Sequence, residues 1–149
     1  MYIFVLNITL MFDVTHLHPM VVHFPIAIII VGFLADFSSL IFTKEKCLSR
    51  MGFYLLLLGA LAAMVAFGTG HFLTGDTIDG AGHNGEMHEL FATLTLITII
   101  VTALFRILIV YLHKEETRLK YVAMAIFFLA FTFVAITGYF GGMVVYGNL

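Results

Sequence analysis

Four stretches of the chain, 20–42, 51–73, 90–112 and 121–140, are apolar almost without interruption, and the polar residues gather in the short segments between them. Each run is about 20 residues, the length a helix needs to cross ~30 Å of hydrocarbon. The runs are continuous rather than alternating, and backbone groups in lipid must be satisfied within the segment, so they predict helices and not barrel strands. The pattern predicts a single all-α transmembrane domain over 1–149, a four-helix bundle with helices over about 18–42, 51–73, 88–112 and 119–140. A further apolar stretch, MYIFVLNITLMF at 1–12, has no positive charge before it and no small-residue cleavage site nearby. It reads as an interfacial segment lying on the bilayer, not as a removable signal peptide.

Composition fits this reading. Hydrophobic residues make up 62% of the chain and charged residues 11%, more apolar surface than a soluble fold of 149 residues can bury. Charge adds an orientation. Lys44, Lys46 and Arg50 fall between the first two helices, and Lys114, Arg118 and Lys120 between the last two. No Lys or Arg occurs in the N-terminal stretch, in 74–89 or in the C-terminal tail. The positive-inside rule therefore predicts that both termini and the middle loop are extracytoplasmic. The single cysteine, Cys47, lies in a cytoplasmic loop in this arrangement, and the absence of CxxCH excludes covalent c-type haem.

That topology sorts the histidines. His16, His18, His23, His71, His83 and His88 fall on or near the extracytoplasmic side, joined by Asp76, Asp79, Glu86 and Glu89, while His113 alone is cytoplasmic. His16 and His83 read as solvated. His18 and His23 sit where Pro19 can open a helix, with Pro25 in early helix; His71 closes helix 2 and His88 opens helix 3. Ionisable groups within a span need partners. His88 and Arg106 are 18 residues apart, five whole turns, and so share a face with Thr95 and Thr102 near it; His18 and Asp36 have the same spacing. If the two histidines are level, so are the two charges, which predicts an Asp36–Arg106 ion pair. On helix 2, Gly59, Ala62, Ala63, Ala66 and Gly70 form one small-residue face, suited to close helix packing or to a flat cofactor.

The segment LHPMVVHFPIAIIIVGFLADF, the small-residue second helix, the helix that begins with His and the terminal TGYFGGMVVYG together resemble a family of four-helix bacterial membrane proteins, domain-of-unknown-function family 2231. HP-x-x-VHFP and GG-x-x-x-Y-G are the most specific marks, and the likeness runs from His18 to near the C-terminus. Members often carry a histidine beside or between the last glycines, where this chain has Tyr139 and Met143. The resemblance implies a bacterial cytoplasmic (inner) membrane protein. Through relatives that accompany Rieske or cytochrome c domains, it also implies electron transfer at the outer face.

The residues support three functions. The first is a membrane electron-transfer subunit with b-type haem near the extracytoplasmic face. Imidazoles from facing helices hold haem iron from both sides, with His23 and His88 as the expected axial pair and His18 and His71 as alternates. The outer side has no Lys or Arg for the propionates, which leaves backbone N–H groups, tyrosines, histidines and water. The second is a zinc, copper or non-haem iron site built from the same histidines with Glu86 or Glu89. The third is an assembly subunit with structural or pH-responsive histidines. No nucleophile–base pattern, phosphate loop or nucleic-acid signal is present. Expected partners are the lipid bilayer and a redox subunit or a cytochrome c or Rieske-type protein at the outer face.

Overall fold

The computed structural model describes residues 17–73, 82–115 and 118–146. The expected interfacial segment 1–12, His16, and the acidic residues Asp76 and Asp79 lie outside these residues. Four helices follow in order: α1 (Leu17–Ile41), α2 (Lys46–Leu73), α3 (Gly82–Tyr111) and α4 (Leu119–Tyr146). Each is long and apolar enough to cross a membrane, and the described residues form no strand.

Three helices extend beyond the apolar runs that predict them. α2 begins at Lys46 rather than 51, α3 at Gly82 rather than 88, and α4 continues to Tyr146 rather than 140. Hydropathy marks the part of a helix that sits in hydrocarbon, whereas hydrogen bonding continues into the headgroup layer. The loop expected at 74–89 therefore contributes its second half to α3, and His83, exposed there, rides the first turn. Gly138, Gly141 and Gly142 do not end α4. Each glycine costs a helix about 1 kcal/mol, less than leaving backbone groups unpaired in lipid.

Pro25 has a cost that its position in the sequence understates. It lies in the early part of α1, as expected, but past the first turn, so its missing N–H removes an interior helical hydrogen bond, a loss that transmembrane helices tolerate. At the far end of α3, His113 adopts a left-handed φ of 54°. Its N–H donates to Val110 O, and that of Lys114 donates to Ile109 O. This is the paired closure that terminates a helix through one left-handed residue.

α1 packs most closely on α2 and α3 on α4, and these two hairpins meet along sparser seams. Their shared core contains Ile29, Leu56, Ile99 and Phe127, all buried. Phe33 stacks on Phe131 at 4.7 Å and meets Phe127 edge-on at 5.6 Å, which ties α1 to α4. The α1–α2 contact is closest at Gly52, where a Cβ would stand 2.6 Å from Asp36 Cβ and 2.9 Å from its Cα. Gly52→Ala is therefore expected to push the helices apart and lower stability by about 1–3 kcal/mol, read as a reduced melting temperature in detergent.

Candidate functional site

The polar residues of the bundle interior fall into two clusters, one at each end. The starts of α1 and α3 and the ends of α2 and α4 form the histidine end. The opposite end holds Asp36 and Arg106.

At the histidine end, His18 of α1 and His88 of α3 face each other with ring centroids 6.4 Å apart and planes at 81°. Both rings are half-buried. His88 Nδ1 lies 3.0 Å from the Thr137 carbonyl oxygen. A carbonyl only accepts, so Nδ1 carries the proton and Nε2 keeps its lone pair. His18 Nδ1 lies 3.1 Å from Thr69 Oγ1, and that hydroxyl already donates to Ala66 O at 2.9 Å. Thr69 must then accept from His18, which is fixed in the same tautomer. Metal-bound histidines show this arrangement, with one ring nitrogen anchored on an oxygen and the other left for the metal.

Glycines admit both rings. A Cβ at Gly70 would stand 2.9 Å from His18 Cε1, and one at Gly141 would stand 3.1 Å from both Cε1 and Nδ1 of His88. Gly70 is the last member of the small face of α2, so part of that face serves a side chain rather than helix packing alone.

The pairing differs from the one expected. His23 is exposed, and its Nδ1 donates 2.6 Å to the Pro19 carbonyl of its own helix. Five residues turn it about 140° from His18, away from the bundle interior that His18 faces. His18 takes the place beside His88. His71 is exposed near the end of α2, with its ring edge-on to Phe72 at 5.2 Å. Glu86 and Glu89 are exposed on α3. Among the described residues, no group of three His, Cys, Asp or Glu side chains converges as a metal site would require.

At the other end, Arg106 Nη2 lies 3.1 Å from Asp36 Oδ1, both side chains at least 95% buried. Ser49 Oγ donates to Asp36 Oδ1 at 3.4 Å, and Arg106 Nη2 reaches Ser49 Oγ at 3.5 Å. Ser39 Oγ donates to the Asp36 carbonyl at 2.6 Å and accepts from Lys120 Nζ at 3.1 Å. Arg106 Nε is buried with no partner among the described residues.

Thr95 and Thr102 line the face of α3 between the two clusters, but they do not join them. Thr95 donates to Phe91 O at 2.7 Å and Thr102 to Thr98 O at 2.6 Å. Thr95 Oγ1 also lies 3.2 Å from Thr137 Oγ1 on α4, a sideways contact at the histidine end, and Ile29, Leu56, Ile99 and Phe127 fill the space between the ends. An apolar groove of about 340 Å³ on the α2–α3 seam, lined by residues such as Leu57, Met64, Ile100 and Ile107, has no polar group to direct a reaction.

Sequence reasoning missed Thr69, Thr137, Ser39, Ser49 and Lys120 as partners in these clusters. Thr69 adjoins Gly70 on the small-residue face, which is the one available hint. Thr137 acts through its carbonyl, which no side-chain pattern reports. Residues 14–148 match the family described as predicted membrane protein DUF2231. No curated protein and no solved structure matches the chain.

Proposed function

Since the chain belongs to the DUF2231 family of membrane proteins, we propose that it is a membrane electron-transfer subunit that holds b-type haem at the histidine end, with His18 and His88 as axial ligands. The single supporting observation is the pair of tautomer-fixed imidazoles 6.4 Å apart across the bundle. Two protein nitrogens are the number haem asks for, because the porphyrin supplies the other four. A bare zinc ion in a structural site wants four protein ligands, and no three candidates converge among the described residues.

Haem, when bound, supplies one-electron chemistry whose potential follows from its axial ligands and their surroundings. The chain's own contribution is orientation and exclusion. Thr69 and the Thr137 carbonyl hold the two rings with their Nε2 atoms available. Gly70 and Gly141 leave room for them, and the apolar core beneath bars water from the middle of the bundle. The basic connections at the opposite end support a cytoplasmic placement for that end. The histidine end then faces outward in a bacterial inner membrane, with both termini outside. An outer face with no Lys or Arg in 74–89 favours a basic redox partner of the cytochrome c or Rieske class.

The test is an absorption spectrum of the detergent-purified protein, oxidised and then reduced with dithionite. A Soret band that shifts on reduction, with sharp visible bands of bis-imidazole haem, is expected. Colourless protein that also fails to take up added haemin overturns the proposal.

A further inference from the structure

The two polar clusters share a regularity that neither shows alone. His18 and His88 are 70 residues apart, and so are Asp36 and Arg106. The shift of 70 carries the whole of α1 onto α3. Pro25, Ile29, Gly32, Phe33, Asp36 and Ser39 are buried, and so are the residues 70 positions later, Thr95, Ile99, Thr102, Ala103, Arg106 and Ile109. Residues are identical at His18/His88, Ile29/Ile99, Ile30/Ile100, Val31/Val101 and Leu34/Leu104.

A shift of 71 does the same for α2 and α4. Gly52, Leu56, Gly59 and Ala63 are buried, and so are Ala123, Phe127, Ala130 and Val134. Gly70, against His18, falls on Gly141, against His88. Ala66 falls on Thr137. His88 Nδ1 donates straight to the Thr137 carbonyl, and His18 Nδ1 reaches the matching Ala66 carbonyl through the Thr69 hydroxyl. Each hairpin thus builds the same socket: a histidine on its first helix, and on its second a carbonyl to anchor the ring and a glycine four residues on to admit it.

We propose that the bundle is two copies of one helical hairpin, 17–73 and 82–146, related by a two-fold axis along the helices, and that the ligand site lies on this axis, with His18 and His88 as equivalent donors. Membrane proteins use parallel repeats about such an axis. A group held there must present two like faces to two like nitrogens. A metalloporphyrin has two such axial positions, and this part of the inference rests on the electron-transfer reading above. The Asp36–Arg106 pair is where the copies differ. Equivalent positions on a two-fold axis meet each other, so two identical hairpins would set Asp against Asp or Arg against Arg. Opposite charges at 36 and 106 favour hairpin one pairing with hairpin two of the same chain over pairing with its own kind, which is specificity by repulsion of the wrong partner.

The hairpins being equivalent, exchanging the matched residues should preserve the bundle. Ser49 and Lys120 are also a matched pair at the shift of 71. The half-exchange D36R/S49K gathers four cations with no carboxylate, and its yield of folded monomer in detergent is expected to fall about fivefold or more. The full exchange D36R/S49K/R106D/K120S restores one carboxylate and two basic residues across the axis. It is expected to return the yield to within about twofold of the natural chain, because coupled residues recover together. A full exchange no better than the half-exchange overturns the equivalence, as does a half-exchange that folds normally. Haem absorbance is read separately. If no variant and not even the natural chain takes up haemin, the electron-transfer reading fails, while recovery by the full exchange still supports the duplicated hairpin.

Discussion

Replacing His88 with alanine is expected to weaken haem binding by more than about 100-fold, beyond the 10–100-fold typical of losing a supporting residue around a metal site. His88 is one of two imidazoles that converge, its ring is set by the Thr137 carbonyl at 3.0 Å, and no third ligand stands ready among the described residues. The same loss is expected for His18→Ala. His23→Ala and His71→Ala should titrate with haemin like the natural protein, because His23 is exposed and tied to the Pro19 carbonyl of its own helix and His71 is exposed at the end of α2. The measurement is a haemin titration followed at the Soret band for all four variants. Loss in His23→Ala with retention in His18→Ala would return the site to the pairing expected from sequence.

The second large effect concerns the opposite end. Arg106→Met removes the cation from a carboxylate that is almost wholly buried, and a buried charge left without its partner costs about 3–5 kcal/mol. Serine hydroxyls and Lys120 stay near Asp36, so the lower part of that range is expected. The double variant Asp36→Leu/Arg106→Met should recover most of the loss, since apolar replacement of both members of a buried pair is often neutral. It also removes Arg106 Nε, which is buried without a partner in the natural chain. Thermal unfolding in detergent separates the cases. A single variant as stable as the natural protein would show that the pair contributes nothing.

Both clusters are partly legible in the sequence. Four apolar runs fixed the number of helices, because lipid permits no other fate for such segments. The 18-residue spacing set His18 over Asp36 and His88 over Arg106, since five turns bring a helix back to the same face. Those counts concern single helices and need no knowledge of packing. What they could not give was rotation about each helix axis. His23 and His18 are equally close to the membrane edge in sequence, and only the seating of α1 against Gly70 and Thr69 turns His18 inward. Helix ends were also beyond reach, because residues such as His83 and Glu86 are polar enough to read as loop while their backbones remain helical. The Thr137 contribution was invisible for a third reason, as a carbonyl carries no residue identity.

The apolar layer formed by Ile29, Leu56, Ile99 and Phe127 bears on leakage. A voltage of about 100 mV pushes a unit charge with about 2.3 kcal/mol, whereas stripping an ion of water for passage through a protein interior costs several kcal/mol even after relaxation. Among the described residues, Thr102 donates to a carbonyl of its own helix and the hydroxyl contact of Thr95 runs sideways to Thr137 rather than across the layer. The layer therefore opposes the passage of ions between the two polar ends. An ion or proton taken up at the histidine end thus meets an apolar barrier before it reaches the Asp36–Arg106 end.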